Sequence, residues 1–93
     1  MKAKIWNHKR WVACADEECI KPYYRNLLKD CGFWVIGEIE HRFEPQGYTV
    51  LFLLGESHLA VHTFPEHNKM YIELSSCNKE KYKKFIKSIG IEK

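Results

Sequence analysis

No apolar run in this 93-residue sequence approaches the roughly 18–20 residues that a membrane-crossing helix requires; the greasiest stretch, YTVLFLL at 48–54, is seven long. The opening MKAKIWNHKRW has no apolar segment of the kind that forms a secretory leader. Glycine and proline are few, five and three, and no repeat, low-complexity segment or linker interrupts the chain, so one domain over residues 1–93 is expected. Charge of one sign is also scarce. The net charge of +3 comes mostly from the tail NKEKYKKFIKSIGIEK, which reads as a solvated helix face and carries no recognisable RNA or DNA motif. The four cysteines, Cys14, Cys19, Cys31 and Cys77, have irregular spacing and make a poor disulfide framework. Reduced thiols in a cytoplasmic protein, with neither membrane nor nucleic acid as a partner, are therefore expected.

Apolar residues are plentiful at 45%, and thirteen aromatics (three Trp, five Tyr, five Phe) are generous for this length. A chain so short buries only about 60–65% of its unfolded surface, which leaves one small core that a partner can complete. Residues 9–15, KRWVACA, alternate as a first strand. KPYYRNLLKDCG at 21–32 reads as a helix, with Pro22 in its first turn and Gly32 at C′. FWVIGEIEHRF at 33–43 switches to period two, and EPQG at 44–47 turns the chain. YTVLFLL reads as a fully buried strand, SHLAVHTF at 57–64 as an alternating one, and MYIELSSC at 70–77 as the last. KEKYKKFIKSIG at 79–90 spaces Tyr82, Phe85, Ile86 and Ile89 as a helix. The order β-α-β-β-β-β-α predicts an α+β two-layer sandwich, a largely antiparallel sheet with both helices on one face.

Titratable side chains crowd into GESHLAVHTFPEH at 55–67, directly after the greasiest strand. Taken singly, each has an ordinary reading: Ser57 as a turn residue, His58 and His62 as strand histidines, Phe43 and Phe64 as core, Glu66 as a solvated turn carboxylate, Cys77 as a small hydrophobe. A zinc site fits badly. His58 and His62 on one strand stand about 13 Å apart at roughly 3.3 Å per residue, too far to share a metal at about 2.0–2.1 Å from each. A serine hydrolase fits no better, because no G-x-S-x-G elbow lies between a strand and a helix.

Taken together, HRFEPQG, then LLGESHLAVHTFPE, then IELSSC resemble the S-adenosylmethionine decarboxylase family in its short bacterial and archaeal form. The resemblance runs from about Phe33 to Cys77 and keeps the family's motif order and internal spacings. It implies a proenzyme that makes its own cofactor. The Ser57 hydroxyl attacks the carbonyl of Glu56, the resulting ester eliminates, and hydrolysis leaves a pyruvoyl group derived from Ser57 on a chain of residues 57–93, separate from 1–56. Cleavage before Ser57 calls for local strain and for a base, the role that falls on His62, within reach if the chain curls at Ser57. The family's processing serine is replaced here by Thr49, which keeps the hydroxyl on a stiffer, β-branched side chain.

The resemblance further implies that the pyruvoyl group captures the substrate amine as a Schiff base and draws electrons from Cα as CO₂ leaves, with Cys77 returning the proton. Phe43 and Phe64 would hold adenine, and Glu66 the ribose hydroxyls. The implied substrate is S-adenosylmethionine, whose product would be the aminopropyl donor for spermidine synthesis. Arginine or ornithine in a changed pocket is an alternative. An uncleaved, non-catalytic paralogue is another. No metal is implied, and short members work as homodimers with their sites close to the subunit interface.

Overall fold

The computed structural model describes residues 4–89. In chain order the elements are β1 (Trp6–Ala13), α1 (Glu17–Asp30), β2 (Val35–Arg42), β3 (Tyr48–Leu54), β4 (Ser57–Phe64), β5 (Lys69–Ser76) and α2 (Lys79–Ile89), with a short 3-10 turn at Pro65–His67. The five strands form one antiparallel sheet in the order β1-β5-β4-β3-β2. Strands β2 to β5 are a meander of hairpins. The chain reaches them from β1, at the opposite edge, through α1. The expected α+β order and antiparallel sheet hold throughout; Gly90 at the expected end of the second helix lies outside the described residues.

Period-two alternation decides which face is covered. Val50, Phe52 and Leu54 of β3, Leu59 and Val61 of β4, and Met70, Ile72 and Leu74 of β5 form one buried layer. Ile20, Tyr24 and Leu28 of α1 and Phe85 and Ile89 of α2 close over it. Helix α1 lies against β2 and β3, and α2 against β5 and β1. No described helix is long and apolar enough to cross a membrane.

Two element starts and one strand's burial differ most from expectation. Strand β1 begins at Trp6 rather than near residue 9, because the polar Asn7 and Lys9 alternate with Trp6, His8 and Arg10, which turn toward α2. Helix α1 begins at Glu17 rather than 21, since Asp16 caps it by accepting from the Glu18 N–H; Pro22 then lies inside the helix. Its end is as expected. Gly32 takes φ 93°, the Gly32 N–H donates to Lys29 and the Phe33 N–H to Leu28, which satisfies the last carbonyls. Finally, β3 is not buried on both faces: Leu51 and Leu53 are 43% and 56% exposed, because no element covers the second face of the sheet.

Candidate active site

Strands β3 and β4 are joined through only Gly55 and Glu56. Turn rules assign a positive φ to glycine, yet Glu56 holds it, at 61°. Gly55 is committed elsewhere. Its N–H donates to the Trp34 carbonyl at 3.1 Å, and a Cβ on it would meet the Trp34 ring at 3.4 Å. The left-handed conformation therefore falls on a residue that resists it, at about 1–2 kcal/mol relative to the right-handed one. Among the described residues the other non-glycine residue with a positive φ is Asn68, a type that tolerates it.

Ser57 follows as the first residue of β4, its side chain on the covered face and 8% exposed. Its hydroxyl donates to Ser76 Oγ at 2.8 Å. Cys77, exposed, follows Ser76 directly, and a cavity of about 100 Å³ is lined by Ile5, Glu56, Ser57, His58, Ser75, Ser76 and Cys77. This is one cluster of the expected residues: a left-handed Glu56, a hydroxyl on the next residue and a thiol opening onto the same space.

The second cluster lies at the other end of β4. A cleft of about 310 Å³ is lined by Phe43, Gln46, Thr49, His62, Phe64 and Glu66, among others. Thr49 and His62 are cross-strand partners on the open face, with Thr49 Oγ1 and His62 Nδ1 2.9 Å apart. Gln46 Nε2 donates to Glu66 at 3.4 Å. The His41 ring meets Phe43 edge-on at 4.5 Å, and Phe64 packs against Trp11 at 5.5 Å.

The chain does not curl at Ser57, so His62 does not approach the Glu56–Ser57 bond of its own chain. Five residues of extended strand separate them by about 16 Å, and an odd spacing puts their side chains on opposite faces. Eight expected residues thus fall into two half-sites, Glu56, Ser57 and Cys77 at one end and Phe43, Thr49, His62, Phe64 and Glu66 at the other. Among the described residues no group of three His, Cys, Asp or Glu side chains is placed to hold a metal ion. Sequence reasoning missed Ser76, His41 and Gln46. Ser76 was within reach: the short turn after β4 pairs Ser57 with Ser76, and its hydroxyl breaks the apolar period of Met70, Ile72 and Leu74.

Comparison with known proteins bears on this arrangement. The family model described as S-adenosylmethionine decarboxylase matches residues 7–90. A protein named S-adenosylmethionine decarboxylase proenzyme from Prochlorococcus marinus (strain MIT 9313) is 40% identical over 62 residues, covering 67% of this chain and 50% of the relative. One of the same name from Methanococcus vannielii is 33% identical over 74 residues, covering 80% of this chain and 60% of the relative. The chain thus spans about half the length of several curated relatives it matches. The crystal structure of the adenosylmethionine decarboxylase from Aquifex aeolicus superposes with a TM-score of 0.73 over 97% of this chain and 83% of that one, at 20% identity, a likeness of fold. With a family model spanning nearly all of it, the chain belongs to the S-adenosylmethionine decarboxylase family.

Proposed function

We propose that this chain cuts itself between Glu56 and Ser57 and then decarboxylates S-adenosylmethionine through a pyruvoyl group at position 57. The observation that carries this reading is the left-handed Glu56 beside a held Ser57 hydroxyl. An amide yields to an ester when strain raises the amide, and the strained φ belongs to Glu56, the residue whose carbonyl would be attacked. The residues fit the group: the Ser57 position borders a small cavity that also receives Cys77.

A pyruvoyl ketone supplies the electron sink for loss of CO₂ from an α-amino acid. The protein's own residues do the rest. Cys77 delivers the proton that replaces the carboxylate. Phe43 and Phe64 present aromatic surface to the purine and its neighbouring sulfonium. Glu66, steadied by Gln46, accepts from the ribose hydroxyls. His62, with Thr49 fixing its ring, takes the Ser57 α-proton during maturation. The product would be the aminopropyl donor for spermidine synthesis.

Because His62 stands away from its own Ser57, the complete site draws on a second copy of the chain. The open face of the sheet supports this assembly. Trp11, Ile39, Leu51 and Leu53 lie exposed on it around the Thr49–His62 pair. Two such sheets stacked about 10 Å apart about a two-fold axis across the strands would bury these residues and set the His62 end of one β4 over the backbone at the Ser57 end of the other, with the Ser57 hydroxyl on the far side of its sheet.

The test is the intact mass of purified protein under denaturing conditions, beside Ser57→Ala. Two fragments of 56 and 37 residues, the second blocked by a ketone that borohydride traps, are expected, with a single 11.1 kDa chain for the variant. An uncleaved wild type would sink the catalytic reading in favour of a non-catalytic paralogue. Release of CO₂ from S-adenosylmethionine but not from arginine or ornithine is the expected second result.

A further inference from the structure

On the covered face of β5, Met70, Ile72 and Leu74 are apolar, and the same row on β4 holds Leu59 and Val61. The row is polar at Thr63, whose hydroxyl accepts from the Tyr48 N–H at 2.9 Å, and it turns polar again at its far end, away from the β4–β5 turn. Ser57 and Ser76 face each other as cross-strand partners, 8% and 1% exposed. A buried hydroxyl pair is tolerated only when bonded, and aliphatic side chains would continue the core here.

The bonding of Ser76 is directional. Its oxygen accepts from the Asn78 N–H at 3.0 Å, and its proton goes to the Asn78 carbonyl at 3.3 Å. Asn78 is itself held at the start of α2, where its Oδ1 accepts from the Lys81 N–H at 3.0 Å. What remains on Ser76 is acceptor capacity, and Ser57 fills it by donating at 2.8 Å. The Ser57 hydroxyl is thereby fixed in rotamer and in bonding sense, with its lone pairs left free.

We infer that Ser76 is a positioning residue for maturation: it holds the Ser57 hydroxyl for attack on the Glu56 carbonyl carbon. In that step the Oγ–C bond forms, the Glu56 C–N bond breaks, and the Oγ proton ends on the Ser57 nitrogen. Ser76 itself neither gains nor loses a proton. The inference rests on the self-cleavage proposed above and assigns Ser76 to its first step alone, the formation of the ester.

The experiment follows the fraction of cleaved chain with time after purification of the uncut precursor, with and without hydroxylamine. Ser76→Ala is expected to cleave about ten- to a hundredfold more slowly, as loss of a held attacking group does. Ser76→Thr, which keeps the hydroxyl, is expected to recover most of the rate. Hydroxylamine opens an ester at the Glu56 carbonyl and releases Ser57 with a free amine. It should leave Ser76→Ala slow, because little ester forms. A hydroxylamine-dependent burst in Ser76→Ala would place the defect after the ester and overturn the inference. Equal rates for wild type and Ser76→Ala would overturn it as well, with the self-cleavage reading intact. A wild type that never cleaves would overturn both. If Ser76→Ala loses its circular dichroism signature, Ser76→Cys, close to serine in size with only a weak sulfur acceptor, carries the same expectations.

Discussion

Glu56 shows how one residue can be badly suited to its backbone for a local reason. Trp34 approaches Gly55 closely and takes its N–H, so the turn places its positive φ one residue later, on a side chain that resists it. Glu56→Gly is expected to relieve about 1 kcal/mol of strain, less the extra chain entropy glycine brings to the unfolded state. If the strained Glu56 backbone drives ester formation, cleavage should then slow about fivefold for each kcal/mol relieved. The measurement is the maturation half-time of the variant, and an unchanged half-time would remove strain from the mechanism. The motif residues on either side were legible in the sequence because each is a chemical type at a fixed spacing. The φ on Glu56 was not, since it depends on how the two-residue turn closes against Trp34, 21 positions before Gly55.

At the scale of elements, the sheet's two edges are managed differently. Strand β2 turns Glu38, Glu40 and Arg42 toward the helical side, where an apolar row would continue the core. Arg25 of α1 grips Glu38 with two bonds of 2.5 and 2.8 Å and holds its carboxyl below the usual carboxylate range. Lys21 pairs with Glu40 at 2.9 Å, and Tyr48 donates to the same carboxylate, its phenol pushed up to about 12 by burial and then by that bond. Strand β1 instead places His8 under α2, with its buried Nε2 lacking a hydrogen-bond partner among the described residues. Burial, then the nearby Arg10, lowers the His8 pKa. A histidine titrating lower when folded than when unfolded binds more protons in the unfolded chain, so stability is lost as pH falls below about 6.5 and levels off below the folded value. The urea midpoint of the wild type should fall between pH 7.5 and 5.5 by more than that of His8→Leu; an equal fall in both would clear His8 of the effect. Most elements were readable from apolar period alone. The starts of β1 and α1 were not, because polar strand residues hid one alternation and Pro22 resembled a first-turn proline.

For the whole molecule, the open sheet face and the two distant half-sites support the same pairing, and neither was legible from one chain's sequence, which orders residues but does not say which copy of the chain brings them together. The pairing predicts complementation. Neither Ser57→Ala nor His62→Ala should mature alone, but when the two are refolded together the His62→Ala chain should be cut, because its Ser57 meets the other subunit's His62. Absence of any 37-residue fragment from the mixture would return the site to a single chain. The strand order carries a last consequence. A break after Glu56 leaves β1, β2 and β3 on one piece and β4 and β5 on the other, yet β5 is bonded to β1 and β4 to β3. The smaller piece, a β4–β5 hairpin with α2 behind it, is clamped on both sides by the larger, so it cannot peel from one edge and must break two ladders at once to leave. The severed protein should behave as a split protein locked by its own topology, whose halves do not trade partners with other molecules while the sheet remains folded.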